Sequence, residues 1–395
     1  MNPLLNPFAP GAGAPPPELA GRDEIIDAAR IALHRIRAGR SEKSQMLLGL
    51  CGVGKTVLLN RIGQMAEDLG YHVVALEAPE GQRLAEYLAP ALKSIVMRLS
   101  RSDRAKEQVA LAAAALRGFA SAFKVTIGEI DITVSKPPEA DSGNLEIDLP
   151  ALLVSVGQAA RAADASVAIL VDEVQYLVEE DLRALLVAFH TMAQRILPVV
   201  WFGAGLPQVA ALSGEAKSYA ERLLDFASVG PLTTAAAERA VGQPIRAEGA
   251  DIVPAALAQI VAVTKGYPYF LQEWGKHAWN VASRSPITVV DVVDASESAT
   301  QALDRSFFRV RFDRLTPREQ DYLRAMAHLG PGPHRSGAIA GALGRTVEST
   351  GPLRSALIRK GMIWSPAHGE TAFTVPLFNE FMHRAIPAWG PSDAT

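Results

Sequence analysis

At 395 residues, with 49% hydrophobic and 21% charged side chains, the chain has the composition of a folded protein of two or three domains and not that of a disordered one. A net charge of −3 and a pI near 6.3 exclude a generally basic nucleic-acid coat, although a basic face on one domain stays compatible with them. The single cysteine, Cys51, excludes an internal disulfide and a multi-cysteine zinc site and suits a reducing cytoplasm.

Residues 1–10 carry neither the basic segment nor the long apolar core of a secretion signal. The most apolar later stretch, 149–171, is interrupted by Arg161 and Asp164, so neither export nor membrane insertion is expected. Residues 2–17 are rich in Pro, Gly and Ala and predict an extended leader; a loose tail and an arm packed on the core are equally open readings. An amphipathic helix follows over 24–37, then a buried strand at Met46-Leu47-Leu48.

Immediately after that strand, Gly49-Leu50-Cys51-Gly52-Val53-Gly54-Lys55-Thr56 fits the phosphate-loop pattern GxxxxGK[ST]. A triphosphate needs several donors converging on a small volume, and Gly49, Gly52 and Gly54 let the backbone fold into a nest of inward N–H groups, with Cys51 and Val53 between them. The following helix, 55–67, presents its free N–H groups and about half a positive charge at the same place. Lys55 supplies a mobile cation for the β and γ phosphates, and the Thr56 hydroxyl is placed to ligate Mg²⁺. A nucleoside triphosphate is therefore the expected ligand. Cys51 reads as a small residue in a tight loop, with a reactive thiol as the alternative.

Downstream, a strand is predicted at 72–76 and helices at 81–99 and 104–119. Residues 124–134 alternate as a hairpin candidate and 135–149 read as a loop, together an insertion longer than a crossover requires. A helix over 150–163 leads into Val167-Ala168-Ile169-Leu170-Val171, the unbroken apolar run of a central parallel strand. That strand is expected beside the phosphate-loop strand and ends in Asp172-Glu173. There Asp172 can hold Mg²⁺ through water, and Glu173 can orient or deprotonate an attacking water. A helix over 180–196 and strands at 199–202 and 227–229 complete a doubly wound parallel α/β sheet.

From 233 to about 315 the pattern is helical. Thr316-Pro317-Arg318-Glu319 then forms a capping box, opening helices at 317–329, 336–343 and 347–360 and a hairpin of 362–364 with 372–375, which together describe a winged helix. The expected divisions are a leader (1–18), a P-loop nucleotide-binding domain (19–231, with the insertion at about 100–149), a helical lid (232–314) and the winged helix (315–395).

The phosphate loop, the strand ending in Asp172-Glu173, the lead-in Ala20-Gly21-Arg22-Asp23-Glu24, the helical lid and the winged helix together resemble AAA+ P-loop ATPases. The resemblance is to the initiator-like group related to the origin-recognition complex and to the neighbouring STAND-like signalling ATPases. It implies that Gly21 and Arg22 lie near the adenine, and that Arg222, in Ala220-Glu221-Arg222-Leu223-Leu224, is an arginine finger reaching the γ-phosphate of a neighbouring subunit in a homo-oligomer. Two departures stand out. Phe202-Gly203-Ala204-Gly205-Leu206-Pro207 offers no Asn or Thr where such ATPases carry a polar sensor, which predicts slow hydrolysis. Gly266-Tyr267-Pro268 replaces the initiators' lid arginine and looks like the STAND motif in which this proline contacts the base; a turn before a helix explains it equally well.

Residues 313–390 hold nine Lys and Arg against six Asp and Glu, a net charge of +3. Arg345, Arg354 and Arg359 are the expected phosphate contacts to double-stranded DNA, while the wing, 365–371, has no Lys or Arg. The sequence thus predicts a cytoplasmic ATP- and Mg²⁺-dependent conformational and assembly switch with a DNA-associated winged helix. The alternative is a STAND-like signalling ATPase with slow turnover and protein partners.

Overall fold

The structure, a computed structural model, describes residues 1–11, 13–128, 140–388 and 390. Its packing divides into two units, residues 22–49 with 55–229, and residues 1–21 with 50–54 and 230–395.

The first unit runs α1 (Asp23–Arg37), β1 (Ser44–Leu48), α2 (Lys55–Asp68), β2 (Tyr71–Glu77), α3 (Leu84–Leu99), α4 (Lys106–Ala122), α5 (Leu145–Ala162), β3 (Ser166–Asp172), α6 (Glu179–Gln194), β4 (Val199–Gly205), α7 (Val209–Ala216), α8 (Ala220–Leu223) and β5 (Leu224–Ser228). The five strands form one parallel sheet in the order β2-β3-β4-β1-β5. Every residue of β3 and β4 is buried, as expected of central strands covered on both faces. This order corrects the expectation that β3 lies beside the phosphate-loop strand. β4 stands between them, so β1 and β3 are two strand spacings apart, about 10 Å. A parallel strand needs no sequence neighbour, and nothing in the apolar run of β3 distinguishes the two orders.

The insertion also differs from its reading. Residues 124–128 form no strand, and the rest of the hairpin candidate lies outside the described residues. The loop expected to reach residue 149 is already helix from Leu145, because Asn144 caps α5 by accepting the Glu146 N–H. Buried Asp148 fixes the preceding turn, accepting from the Ser142 N–H and hydroxyl and from the Gly143 N–H at 2.8–3.1 Å. Pro150 is therefore inside a helix and does not open it. Ala112, Ala113, Ala115, Leu116 and Phe119 bury one face of α4 in the main core, so the insertion thickens that core.

The second unit begins with the leader, which has a 3₁₀ turn at Pro3–Leu5. It continues with α9 (Thr234–Ala247), α10 (Pro254–Thr264), α11 (Pro268–Val281), α12 (Val289–Leu303), a π-helical turn at Asp304–Phe308, α13 (Arg309–Phe312), α14 (Pro317–His328), β6 (His334–Arg335), α15 (Ser336–Ala342), α16 (Val347–Arg359), β7 (Ile363–Trp364), β8 (Glu370–Phe373) and α17 (Phe378–Ala385). Of the two readings of the leader, the packed arm holds. Phe8 is buried against Gly275, where an added Cβ would stand 2.8 Å from its ring. The Asn6 amide donates to Lys276 O and Asn280 Oδ1, and the Trp279 indole N–H donates to Asn2 O. After α14 the structure adds a strand that the sequence reading lacked: β6 pairs with β8, making a three-stranded antiparallel sheet β6-β8-β7. Two residues give too short an alternation to read as a strand.

Thr316 and Glu319 form the capping box of α14 around Pro317, and the Glu319 carboxylate also accepts from Lys360 Nζ at 2.8 Å. Burial pushes this carboxyl upward, but the Lys360 ammonium and the two Thr316 donors outweigh it and leave the group below its ordinary value. A depressed acid stabilises the fold above its ordinary range and loses that contribution as pH falls through the depressed value. Glu319→Ala is thus expected to cost roughly 1–2 kcal/mol at pH 7. The gap from the parent should narrow in acid, read by urea unfolding at both pH values; a gap that does not change with pH would contradict the account.

Candidate active site

Where β1 ends, the Gly49 N–H donates to Gly205 O at 3.1 Å, tying the start of the loop to the end of β4. Gly52 (φ 81°) and Gly54 (φ 94°) hold the left-handed backbone that other residues resist, and α2 starts directly afterwards at Lys55, which is buried. The loop therefore has the sharp turns and the helix amino terminus that an anion cradle requires.

The tip of the loop, 50–54, packs with residues of its own unit. The Tyr269 N–H, in the first turn of α11, donates to Gly52 O at 3.3 Å. A Cβ at Gly52 would meet Tyr269 Cβ and the Phe307 ring at 3.7 Å. These two rings stack with centroids 4.9 Å apart, and the Arg311 guanidinium lies 4.1 Å over the Phe307 ring. Cys51 is half-buried with its sulfur 4.0 Å from Gly361 O. Pro268 occupies the first position of α11, and Gly266 (φ 69°) has no room for a side chain, because a Cβ would stand 2.5 Å from Leu232 O. Gly266 thus makes the turn and Pro268 the helix start that bring Tyr269 to the loop. Gly21 (φ 64°) packs tightly on Ala236, whereas Arg22 is buried at the start of α1, where desolvation lowers its pKa from the ordinary value.

Within the sheet unit the acids meet the loop's threonine. Asp172 ends β3 and is buried; its Oδ2 accepts the Thr56 hydroxyl at 2.6 Å and its Oδ1 accepts the Glu173 N–H at 2.8 Å. Contact is made despite the intervening strand because Thr56 sits at the beginning of α2, beyond the sheet's edge. A hydroxyl and a carboxylate are both hard oxygen donors. With two of them, the set suits Mg²⁺, which keeps several waters and takes phosphate oxygens for the rest. No group of three or more His, Cys, Asp or Glu side chains able to cage a metal occurs among the described residues.

Glu173 itself adopts a left-handed backbone (φ 54°, ψ 39°) that starts a short 3₁₀ turn, Val174–Tyr176. The side-chain amide of Gln175 in this turn donates to Glu173 Oε2, and its Oε1 accepts the Leu206 N–H at 3.1 Å, just past β4. Sequence reasoning passed over Gln175, although its place two residues after the Asp-Glu pair was the available signal. The bare end of β4 also gains a packing reason. A Cβ at Gly203 would stand 2.6 Å from Met46 Sδ and Cε, and one at Gly205 would stand 2.9 Å from Val209 Cγ2 and 3.1 Å from Gln175 Oε1.

Other expected residues stand apart from this constellation. Arg222 is exposed on the single-turn helix α8. Arg345 is exposed in the connection between α15 and α16, and Arg359 is exposed at the end of α16. Arg354 corrects an expectation: its guanidinium is consumed internally, donating to Thr371 Oγ1, Ser365 Oγ and Glu370 O at 2.9 Å each, which fastens α16 to the β7–β8 turn.

Comparison with known proteins places this geometry in a class. Residues 18–202 match the AAA ATPase domain family, so the chain contains an AAA-type P-loop ATPase domain, an ATP-binding and ATP-hydrolysing unit. Residues 305–382 match a domain of unknown function (DUF8462). Among solved structures, the Walker-type ATPase PABY2304 of Pyrococcus abyssi is similar over 92% of this chain and 96% of its own, at 15% identity and a TM-score of 0.59. The ORC2 protein of Aeropyrum pernix, solved as ADPNP–ADP complexes, is similar over 96% of this chain and 97% of its own, at 18% identity and a TM-score of 0.50. At these identities the likeness is one of fold. No curated protein matches the sequence. Among the described residues, no helix is long and apolar enough to cross a membrane.

Proposed function

We propose that this ATPase is a cytoplasmic, Mg²⁺-dependent conformational and assembly switch with four divisions, at 1–18, 19–231, 232–314 and 315–395, the last a winged helix that associates with DNA. The observation that carries the reading is the Thr56–Asp172 hydrogen bond, with Glu173 next in chain and a left-handed glycine loop leading into Lys55. In this reading the N–H groups of the loop from Gly49 to Gly54, Cys51 and Val53 included, cradle the phosphates. Lys55 neutralises the β and γ oxygens, and Thr56 and Asp172 hold Mg²⁺, which when bound draws charge from those oxygens. Gly21, Arg22 and Pro268 border the base. Glu173 takes a proton from water as the water oxygen bonds to the γ-phosphorus and the bond to the β,γ-bridging oxygen breaks, releasing ADP and phosphate.

DNA association rests on the +3 charge of 313–390 and on exposed Arg345 and Arg359, now without Arg354. The ORC2 similarity supports the initiator-like side of the reading through its fold only. The absence of a polar sensor on β4 supports slow turnover, which the signalling alternative shares.

Lys55→Ala is expected to abolish ATP binding in calorimetry, since the nest then meets triphosphate charge without its cation. Glu173→Gln is expected to bind ATP as the parent does and to lose about 10²- to 10⁴-fold in turnover. Parental turnover in the glutamine variant would move the base elsewhere.

Arg222→Ala should keep ATP affinity and lose roughly 10³- to 10⁵-fold in rate if it acts as a finger in trans. Mixing it with Lys55→Ala should then restore activity, because each variant supplies what the other lacks. No rescue, with specific activity independent of protein concentration, would favour the signalling reading.

Retention of duplex DNA should fall with a log–log salt slope that decreases by about 2 when Arg345 and Arg359 are both changed to Ala. An unchanged slope would assign the module to protein contacts.

A further inference from the structure

Gln175 belongs to neither the phosphate loop nor the acid pair, yet its side chain is the one link between Glu173 and the end of β4 among the contacts described above. Its amide has a forced orientation. The Leu206 N–H can only donate and an ionised Glu173 carboxylate can only accept, so the Gln175 oxygen must face Leu206 and its nitrogen must face Glu173. Space for this bridge is kept open by Gly205, where a Cβ would come within 3.1 Å of Gln175 Oε1. The bridge spans from a left-handed residue of β3's terminal turn to the strand that separates β3 from β1, at the place where β4 has no polar side chain of its own.

We infer that Gln175 is the positioning residue for Glu173: it holds one carboxylate oxygen, Oε2, leaves Oε1 to meet the attacking water, and registers the acid on the backbone of β4 through the Leu206 amide. The bridge lies where β4 carries no polar side chain, and it uses the backbone just past β4 and a side chain from the β3 turn. A carboxylate on a flexible side chain swings through several rotamers, and a displacement of about 1 Å at a reacting group is enough to cost roughly 10²-fold. The inference rests on the assignment of Glu173 as the base.

The test is a double-mutant cycle on the full chain with ATP and Mg²⁺. Gln175→Met keeps length and bulk but neither donates to Glu173 nor accepts from Leu206, and should lower kcat by about 10- to 10²-fold with KM for ATP within twofold of the parent. Gln175→Glu keeps the acceptor but sets an anion against Glu173, and should lose as much or more. The deciding variant is Glu173→Gln combined with Gln175→Met, expected to turn over no more slowly than Glu173→Gln alone, because a residue that acts only through Glu173 has nothing left to position. Additive losses, a change confined to KM, or parental kcat in both Gln175 variants would overturn the inference while leaving the base in place. Parental turnover in Glu173→Gln alone would overturn the base assignment and the inference with it. Thermal midpoints and ATP binding measured on every variant separate either result from loss of fold.

Discussion

Parallel strands bring their carboxyl ends to one edge of a sheet, and the level at which they end is set by register. Leu48 of β1 sits opposite Gly205 of β4, while Gly203 of β4 sits opposite Val171 of β3, one residue before Asp172. Three chain ends thereby converge: the start of the loop, the acid pair and Leu206. A slip of one residue in β3 would turn Asp172 to the opposite face of the sheet and lose Thr56. Because β3 is apolar from Val167 to Val171 and covered on both faces, these side chains discriminate weakly between registers. The charge-assisted Thr56 contact adds specificity that the apolar run lacks, and the tight fit of Gly203 on Met46 does the same for β4 beside β1. The site and the register support each other.

Much of this was legible in the residues. The phosphate loop, the acid pair and the capping box announce themselves through short-range chemistry, in which donors, caps and glycines act on neighbours a few positions away. Strand order did not, since Val199 to Gly205 gives no sign that it will divide β1 from β3. The start of α5 was misread because Pro150 is a strong first-turn signal, and it competed with an Asn144 cap whose supporting Asp148 turn becomes visible only once folded. Arg354 shows the same limit. A basic residue on a helix looks available until two hydroxyls and a carbonyl of a neighbouring hairpin meet it.

The leader and the insertion each add to the packing of their own unit through side chains that sequence patterns rank low. Phe8 is the only aromatic residue of the first ten, and it finds Gly275 at a spot of α11 where a side chain would fill the same space. The alanine-rich α4 has no bulky stripe, yet small residues allow close approach to α3 and α5 and bury completely. Neither contact has a periodic signature, because each depends on shape at the partner and not on hydrophobicity along the chain.

Glu173 stands in the left-handed region, which costs an ordinary side chain roughly 1–2 kcal/mol. Among non-glycine residues this backbone is most readily adopted by Asn and Asp. Asn would ease the turn while removing the carboxylate, and Asp would keep the charge but shorten the reach toward Gln175. Selection for thermal robustness at position 173 therefore pulls away from the side chain now there, and a family of such chains adapting to heat would have to find its added stability elsewhere in the fold.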